Sequence, residues 1–148
     1  MGQPLPKKLQ IPSVLDAVAT VQKAVICDVD ACGHAADMRF AVRLALDEAL
    51  ANAIHHGNGD DSSKTVTVDY HVTPDRVQIT VCDEGAGFNP GRVPDPTLPE
   101  NLVKPSGRGI MLMKAYIESV RFSKRGNCVT LMARPGQPGP PRCGHREP

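Results

Sequence analysis

Hydrophobic residues change period several times along the chain, and each change marks an element. Lys8-Leu9-Gln10-Ile11-Pro12 alternates briefly and ends on a proline, as an edge strand can. Ser13 follows as the predicted N-cap of a helix, with Asp16 three residues on as an acidic partner. Val14, Leu15, Val18, Val21, Val25 and Ile26 then recur at near-helical spacing, which predicts a first helix ending around Asp28, before Cys32-Gly33. A second helix is predicted from about Ala36 to Ile54. Met38, Val42, Leu46, Ala49, Leu50, Ala53 and Ile54 cover so much of its circumference that it reads as largely buried. The run Gly57-Asn58-Gly59-Asp60-Asp61-Ser62-Ser63 breaks the pattern.

The period then falls to two. Val66, Val68, Tyr70 and Val72 alternate with Thr65, Thr67, Asp69 and His71, and Val77, Ile79 and Val81 alternate with Arg76, Gln78 and Thr80. Thr73-Pro74-Asp75 is a turn between them, so an antiparallel hairpin is expected. Residues 84–106 carry prolines at 90, 94, 96, 99 and 105 and read as one long loop, a length usually reserved for function or disorder. Helical spacing returns from Gly107 to Glu118. Val120 with Phe122, and Val129 with Leu131 and Ala133, form two more strands joined by Lys124-Arg125-Gly126-Asn127. The order strand, helix, helix, strand, strand, loop, helix, strand, strand points to an α+β two-layer sandwich, with helices covering one face of the sheet. One domain is expected over residues 8–134, with 135–148 a disordered Pro/Gly-rich tail.

Composition narrows the function. The chain has 148 residues, enough for one domain with its own core. Lys plus Arg number 17 against 16 Asp plus Glu, and aromatics are 3% with no Trp. Neither a basic stripe nor a base-stacking platform is visible, so direct nucleic-acid binding is not expected. No apolar run is long enough for a membrane span, and the first residues show no export signal, so no membrane association and a cytoplasmic location are expected. An odd count of five cysteines, Cys27, Cys32, Cys82, Cys128 and Cys143, then argues for reduced thiols. Cys27, Cys32 and His34 fit no standard zinc spacing.

Polar residues interrupt the second helix where burial should forbid them. Glu48, Asn52 and one of His55 or His56 share a face, and a buried carboxylate and amide are costly without partners. Asp83-Glu84-Gly85-Ala86-Gly87-Phe88 follows directly on a strand, where glycines allow close backbone approach to a ligand. Gly107-Arg108-Gly109 opens a helix, and amides at a helix N-terminus suit a phosphate. No Walker A loop occurs.

In this order and spacing the three segments resemble the Bergerat-type ATPases shared by gyrase, histidine kinases and anti-sigma factor serine kinases. Glu48 to Gly57 resembles the family's N box, Asp83 to Phe88 its first glycine box, and Gly107 to Met113 its second. The short loop Val93 to Leu102 running into Ser106-Gly107-Arg108-Gly109, and the opening Ile11-Pro12-Ser13, resemble the stand-alone anti-sigma factor serine kinases most. The fold implied is a mixed, mostly antiparallel sheet covered on one face by helices. The implied cofactors are ATP and Mg²⁺. Asn52 would hold the metal bridging the phosphates, and Glu48 would act as general base or orienting group. Asp83 would read the adenine amino group, with Gly85 and Gly87 giving the base room. Gly107, Arg108 and Gly109 would hold the phosphates. The family pattern points to His56 as a cofactor contact and leaves His55 as a supporting residue.

The activity implied is a protein serine kinase that phosphorylates an anti-sigma factor antagonist and sequesters a sigma factor, as a homodimer. A nucleotide-dependent binding module without much kinase activity, and a kinase for a signalling partner unrelated to sigma factors, are the alternatives. One departure stands out. Where the family has Gly-Thr near the adenine edge, this chain has Gly126-Asn127-Cys128-Val129, which removes one polar contact to the base unless Thr130 replaces it.

Overall fold

The two alternating runs pair as the expected hairpin, and three further strands extend it into one sheet. The structure, a computed structural model, describes residues 5–85, 117–124 and 126–136. In chain order the elements are β1 (Lys7–Pro12), a 3-10 turn (Leu15–Ala17), α1 (Val18–Ala31), α2 (Ala36–Asn52), a π-helical turn (Ala53–Gly57), β2 (Thr65–Thr73), β3 (Arg76–Cys82), β4 (Ser119–Phe122) and β5 (Cys128–Ala133). The loop expected after Gly85, the helix expected from Gly107, and the tail beyond residue 136 lie outside the described residues.

The sheet order is β1-β2-β3-β5-β4, and every described pairing is antiparallel. Period two sorts its side chains. Ile11, Val66, Val68, Val72, Val77, Ile79, Val81 and Leu131 are all buried, while the residues alternating with them look the other way. Both helices lie against the buried face. Val21, Val25 and Val29 of α1 and Val42, Leu46, Ala49 and Leu50 of α2 complete one core. Valine is a mediocre helix former, so α1 owes its helicity to this packing more than to propensity. The α+β two-layer arrangement expected from the sequence is the one observed.

Three local expectations change. Ser13 does not cap a helix: its hydroxyl donates to Lys64 O at 3.0 Å, and Val14 takes the N-cap position of the 3-10 turn without a side-chain cap. The first helix runs past Asp28 to Ala31. It ends where Gly33, at φ +79°, lets His34 N–H reach Val29 O and Gly33 N–H reach Asp30 O, a Schellman closure. The second helix is buried along one stripe only. Phe40, Arg43 and Asp47 are exposed, and Glu48 and Asn52 are half-buried, because nothing in the described fold covers that side.

The expectation of five reduced thiols is overturned for one pair. The β3–β5 register sets Cys82 directly opposite Cys128, and a disulfide joins them. Their sequence separation of 46 hides this juxtaposition, which only the strand register creates. Cys27 and Cys32 are free thiols, and Cys143 lies outside the described residues. Cys32 Sγ faces Val72 O at 3.6 Å and His34 Nε2 sits 2.8 Å from Thr73 O, so this segment ties the α1–α2 connection to the end of β2.

The cross-link closes a long loop, so its loss should cost about 2–4 kcal/mol by restoring freedom to the unfolded chain. Urea denaturation of the wild type should shift to a lower midpoint when a dithiol reductant is added. The double variant Cys82→Ser/Cys128→Ser should be insensitive to the reductant.

Candidate active site

The last turns of α2 carry two of the candidate residues. Glu48 and Asn52 are four residues apart and so stand one above the other on one face of the helix, both half-buried. The Glu48 carboxyl is raised above its ordinary value near 4.5, chiefly by burial and then by the adjacent charge of Asp47. Asp47 is itself held: Gln22 Nε2 on α1 donates to Asp47 Oδ1 at 2.6 Å and to Arg43 O at 3.0 Å.

Beyond Asn52 the winding widens. Ala53–Gly57 is a π-helical turn, closed by Asn58 N–H donating to Ala53 O at 2.8 Å. Such turns recur at functional sites because they re-aim side chains without ending the helix. They also break the angular arithmetic that placed a histidine on the Glu48 face at regular α-helical pitch. His55 and His56 are both exposed, and His55 Nδ1 lies 2.5 Å from Asp60 Oδ1. His55 thus contacts the loop after the turn through Asp60.

The π turn runs directly into the end of β3. Gly57 packs on the Asp83 carboxyl group so closely that a Cβ at residue 57 would overlap it, and a Cβ on Gly85 would land on the carbonyl of Gly57. Two segments expected to act together thus touch through their glycines. The Asp83 turn is further fixed from several sides. Asn127 O accepts from Asp83 N–H at 2.9 Å, Asn58 Oδ1 accepts from Glu84 N–H at 2.7 Å, and Asp83 Oδ1 accepts from Gly85 N–H at 2.8 Å. Glu84 itself turns away and accepts from Thr65 N–H. Gly87, Gly107, Arg108 and Gly109 lie outside the described residues.

Sequence reasoning missed the bonds that Asn58, Asn127 and Ser13 make, and read Ser13 as a helix cap. Asn58 sat inside a Gly/Asp/Ser break and read as loop punctuation, although a side-chain amide between two folded segments was a signal available there. Asn127 read only as a departure from the family pattern. Thr130, the suggested replacement contact, pairs with Thr80 Oγ1 at 2.9 Å on the sheet face opposite the described helices. The donor set on the covered face fits a nucleotide with its metal: a hard amide oxygen on Asn52, a carboxylate on Glu48 one turn away, and a half-buried Asp83.

The two glycines should differ in their tolerance. Gly85→Ala meets backbone that cannot rotate away, so urea denaturation should show a loss of roughly 1–3 kcal/mol. Gly57→Ala meets only the Asp83 side chain, which can turn aside. It should cost less stability while displacing the Asp83 carboxylate.

Comparison with known proteins gives the family. Residues 8–133 match the family described as the histidine kinase-like ATPase domain. The serine-protein kinase RsbW of Oceanobacillus iheyensis is 19% identical over 133 residues, spanning 86% of this chain and 84% of the relative. The anti-sigma F factor of Clostridium perfringens is 34% identical over 82 residues, 53% of this chain and 58% of the relative. A crystal structure of the RsbU and RsbW domains of Rv1364c from Mycobacterium tuberculosis superposes with a TM-score of 0.62 at 18% identity, over 91% of this chain and 34% of that one. A family match over nearly the whole length and a shared fold lead to one assignment: the chain belongs to the histidine kinase-like ATPase domain family.

Proposed function

We propose that this chain is an ATP-dependent protein serine kinase that phosphorylates an anti-sigma factor antagonist and holds a sigma factor inactive. The observation that carries the reading is the half-buried pair Glu48 and Asn52, one helical turn apart and continuous with the Gly57–Asp83–Gly85 contact. The names of its relatives, a serine-protein kinase and an anti-sigma factor, support the activity and the partners. Mg²⁺ at Asn52, contacts from His56, Gly87, Gly107, Arg108 and Gly109, a homodimeric state and a cytoplasmic location belong to the same reading.

Bound ATP with Mg²⁺ would supply the phosphoryl group and neutralise its charge. The residues of the chain then do the positioning. Asp83 would accept a hydrogen bond from the base, and the side-chain oxygen of Asn52 would hold the metal. Glu48 would orient the serine hydroxyl of the substrate and take up its proton, the phosphoryl group supplied by ATP passing to the hydroxyl oxygen as ADP leaves. Catalysis of this kind rests on orientation and charge placement, so the rigidity of the Asp83 turn matters as much as the identity of the base.

Calorimetric titration of the full chain with ATP and Mg²⁺ tests the site. Wild type should bind, and Asp83→Asn should bind ATP at least roughly tenfold more weakly. Glu48→Ala should keep binding while phosphotransfer to the antagonist falls by roughly 10²–10⁴-fold. Absence of ATP binding by the wild type would overturn the kinase reading.

The raised Glu48 pKa gives a pH signature. A general base works deprotonated, so the acid limb of kcat/KM should lie above the range of an ordinary glutamate. Asp47→Asn removes one of its two causes and should move that limb down. For stability the sign runs the other way from a salt-bridged carboxylate. The folded state holds the Glu48 proton more tightly than the unfolded state. Its contribution is therefore full below about pH 4.5 and is lost as pH rises through the folded value. Denaturation curves should show the stability of wild type relative to Glu48→Gln falling as pH is raised from 4 to 7.

A further inference from the structure

Asn58 is 2% exposed, and its amide is used on both sides. Nδ2 donates to Ser13 Oγ at 2.6 Å and to Thr65 O at 3.1 Å, while Oδ1 accepts from Glu84 N–H at 2.7 Å. Ser13 Oγ in turn donates to Lys64 O at 3.0 Å. A buried amide is tolerated only when its groups are matched, and here one side chain joins the end of the π turn, the segment after β1, the start of β2 and the turn after β3.

These bonds are not equivalent. Ser13 and Thr65 belong to the frame, at the ends of β1 and β2. Glu84 lies between Asp83 and Gly85, just past the end of β3, where the ladder no longer supplies a partner for its N–H. Asn127 O fixes the amide before it and Asp83 Oδ1 the amide after it. The middle amide of the three is fixed by Asn58, from the segment that continues α2. Gly57, its neighbour, packs against Asp83 itself.

We propose that Asn58 is a positioning residue for base recognition: by holding Glu84 N–H it sets where the Asp83 carboxylate stands relative to the helix that carries Glu48 and Asn52. The proposal rests on the reading of Asp83 as the group that meets the adenine amino group. It goes further in assigning base selectivity to a residue that touches no nucleotide. A residue with a purely structural role would lower stability and leave the choice of base alone. Ser13 supplies that comparison, since removing its hydroxyl takes away a frame partner of Asn58 and leaves the bond to Glu84 in place.

The test is calorimetric titration of the full chain with Mg-ATP and Mg-GTP, alongside urea denaturation, for wild type and four variants. Asn58→Ala should weaken ATP binding roughly tenfold or more, as expected for loss of a positioning hydrogen bond. Its ATP-over-GTP preference should fall toward that of Asp83→Asn. Ser13→Ala should lose stability and keep both the affinity and the preference within about twofold, well short of the roughly tenfold change that one lost hydrogen bond gives. Asn58→Asp keeps an oxygen for Glu84 N–H and gives up the two donated bonds, so it should be less stable than wild type but retain the preference.

An unchanged ATP-over-GTP ratio in Asn58→Ala, with the ratio lost in Asp83→Asn, overturns the proposal and leaves the site reading intact. An Asp83→Asn protein that keeps wild-type discrimination overturns the base-reading assignment and the proposal with it. If neither Asn58 variant folds, hydrogen exchange at the Glu84 amide of the wild type decides. Slower exchange with ATP bound supports the link, and exchange indifferent to ATP overturns it.

Discussion

Two backbones approach each other at the end of α2 and the end of β3 more closely than any pair of side chains would allow. Gly57 and Gly85 make this possible, because a Cβ on either would enter space already taken by the Asp83 carboxyl group or by the Gly57 carbonyl. The contact fixes the helix to the sheet just past Ala53 and Ile54, the last core residues of this segment. The hydrophobic layer sets the height of α2 over the sheet. This glycine contact sets its position along the strands. Glu48 and Asn52 come from the helix and Asp83 from the strand, so their mutual placement depends on it.

That dependence explains which parts of the molecule were legible in the sequence. The strands of the central hairpin were, within a residue at either end, because one wet face and one dry face impose a strict period of two. The helices were legible in kind and less so in extent. Val21, Val25 and Val29 locate α1, but its end depends on a backbone closure around Gly33 that no side-chain periodicity reports. The α2 stripe was overestimated for a related reason. The seven apolar positions from Met38 to Ile54 are all buried, but they say nothing of Phe40, Arg43 and Asp47, which stay exposed on the other side of the helix. The Cys82–Cys128 bond was invisible because pairing of distant strands is not written locally.

The site divides in the same way. Glu48, Asn52, Asp83 and the glycines could be picked out because they are chemically out of place: polar residues on an apolar helix, and glycines just past a strand. Asn58, Asn127 and Ser13 could not, because polar residues in loops are the ordinary case. Their importance comes from burial, and burial in a loop follows from packing between segments far apart in the chain. Ser13 is the clearest example. Its place ahead of a helix suits an N-cap, and the prediction failed because Asn58 and Lys64 offered the hydroxyl more than an exposed helix end did.

Asn127 changes how the one departure from the family pattern should be understood. Read as a missing threonine, it removes a contact to the base. In the fold it gives its backbone carbonyl to Asp83 N–H and donates its side-chain amide to Asp83 O at 3.3 Å. Ser123 orients that amide by donating to Asn127 Oδ1 at 3.2 Å. One residue further on, the disulfide holds β5 to β3 directly before Asp83. What the asparagine side chain adds is one bond to the backbone of the residue that would meet the ligand. In a reaction governed by orientation that departure need not weaken the site, since a carboxylate held in one place costs less to organise when the ligand arrives.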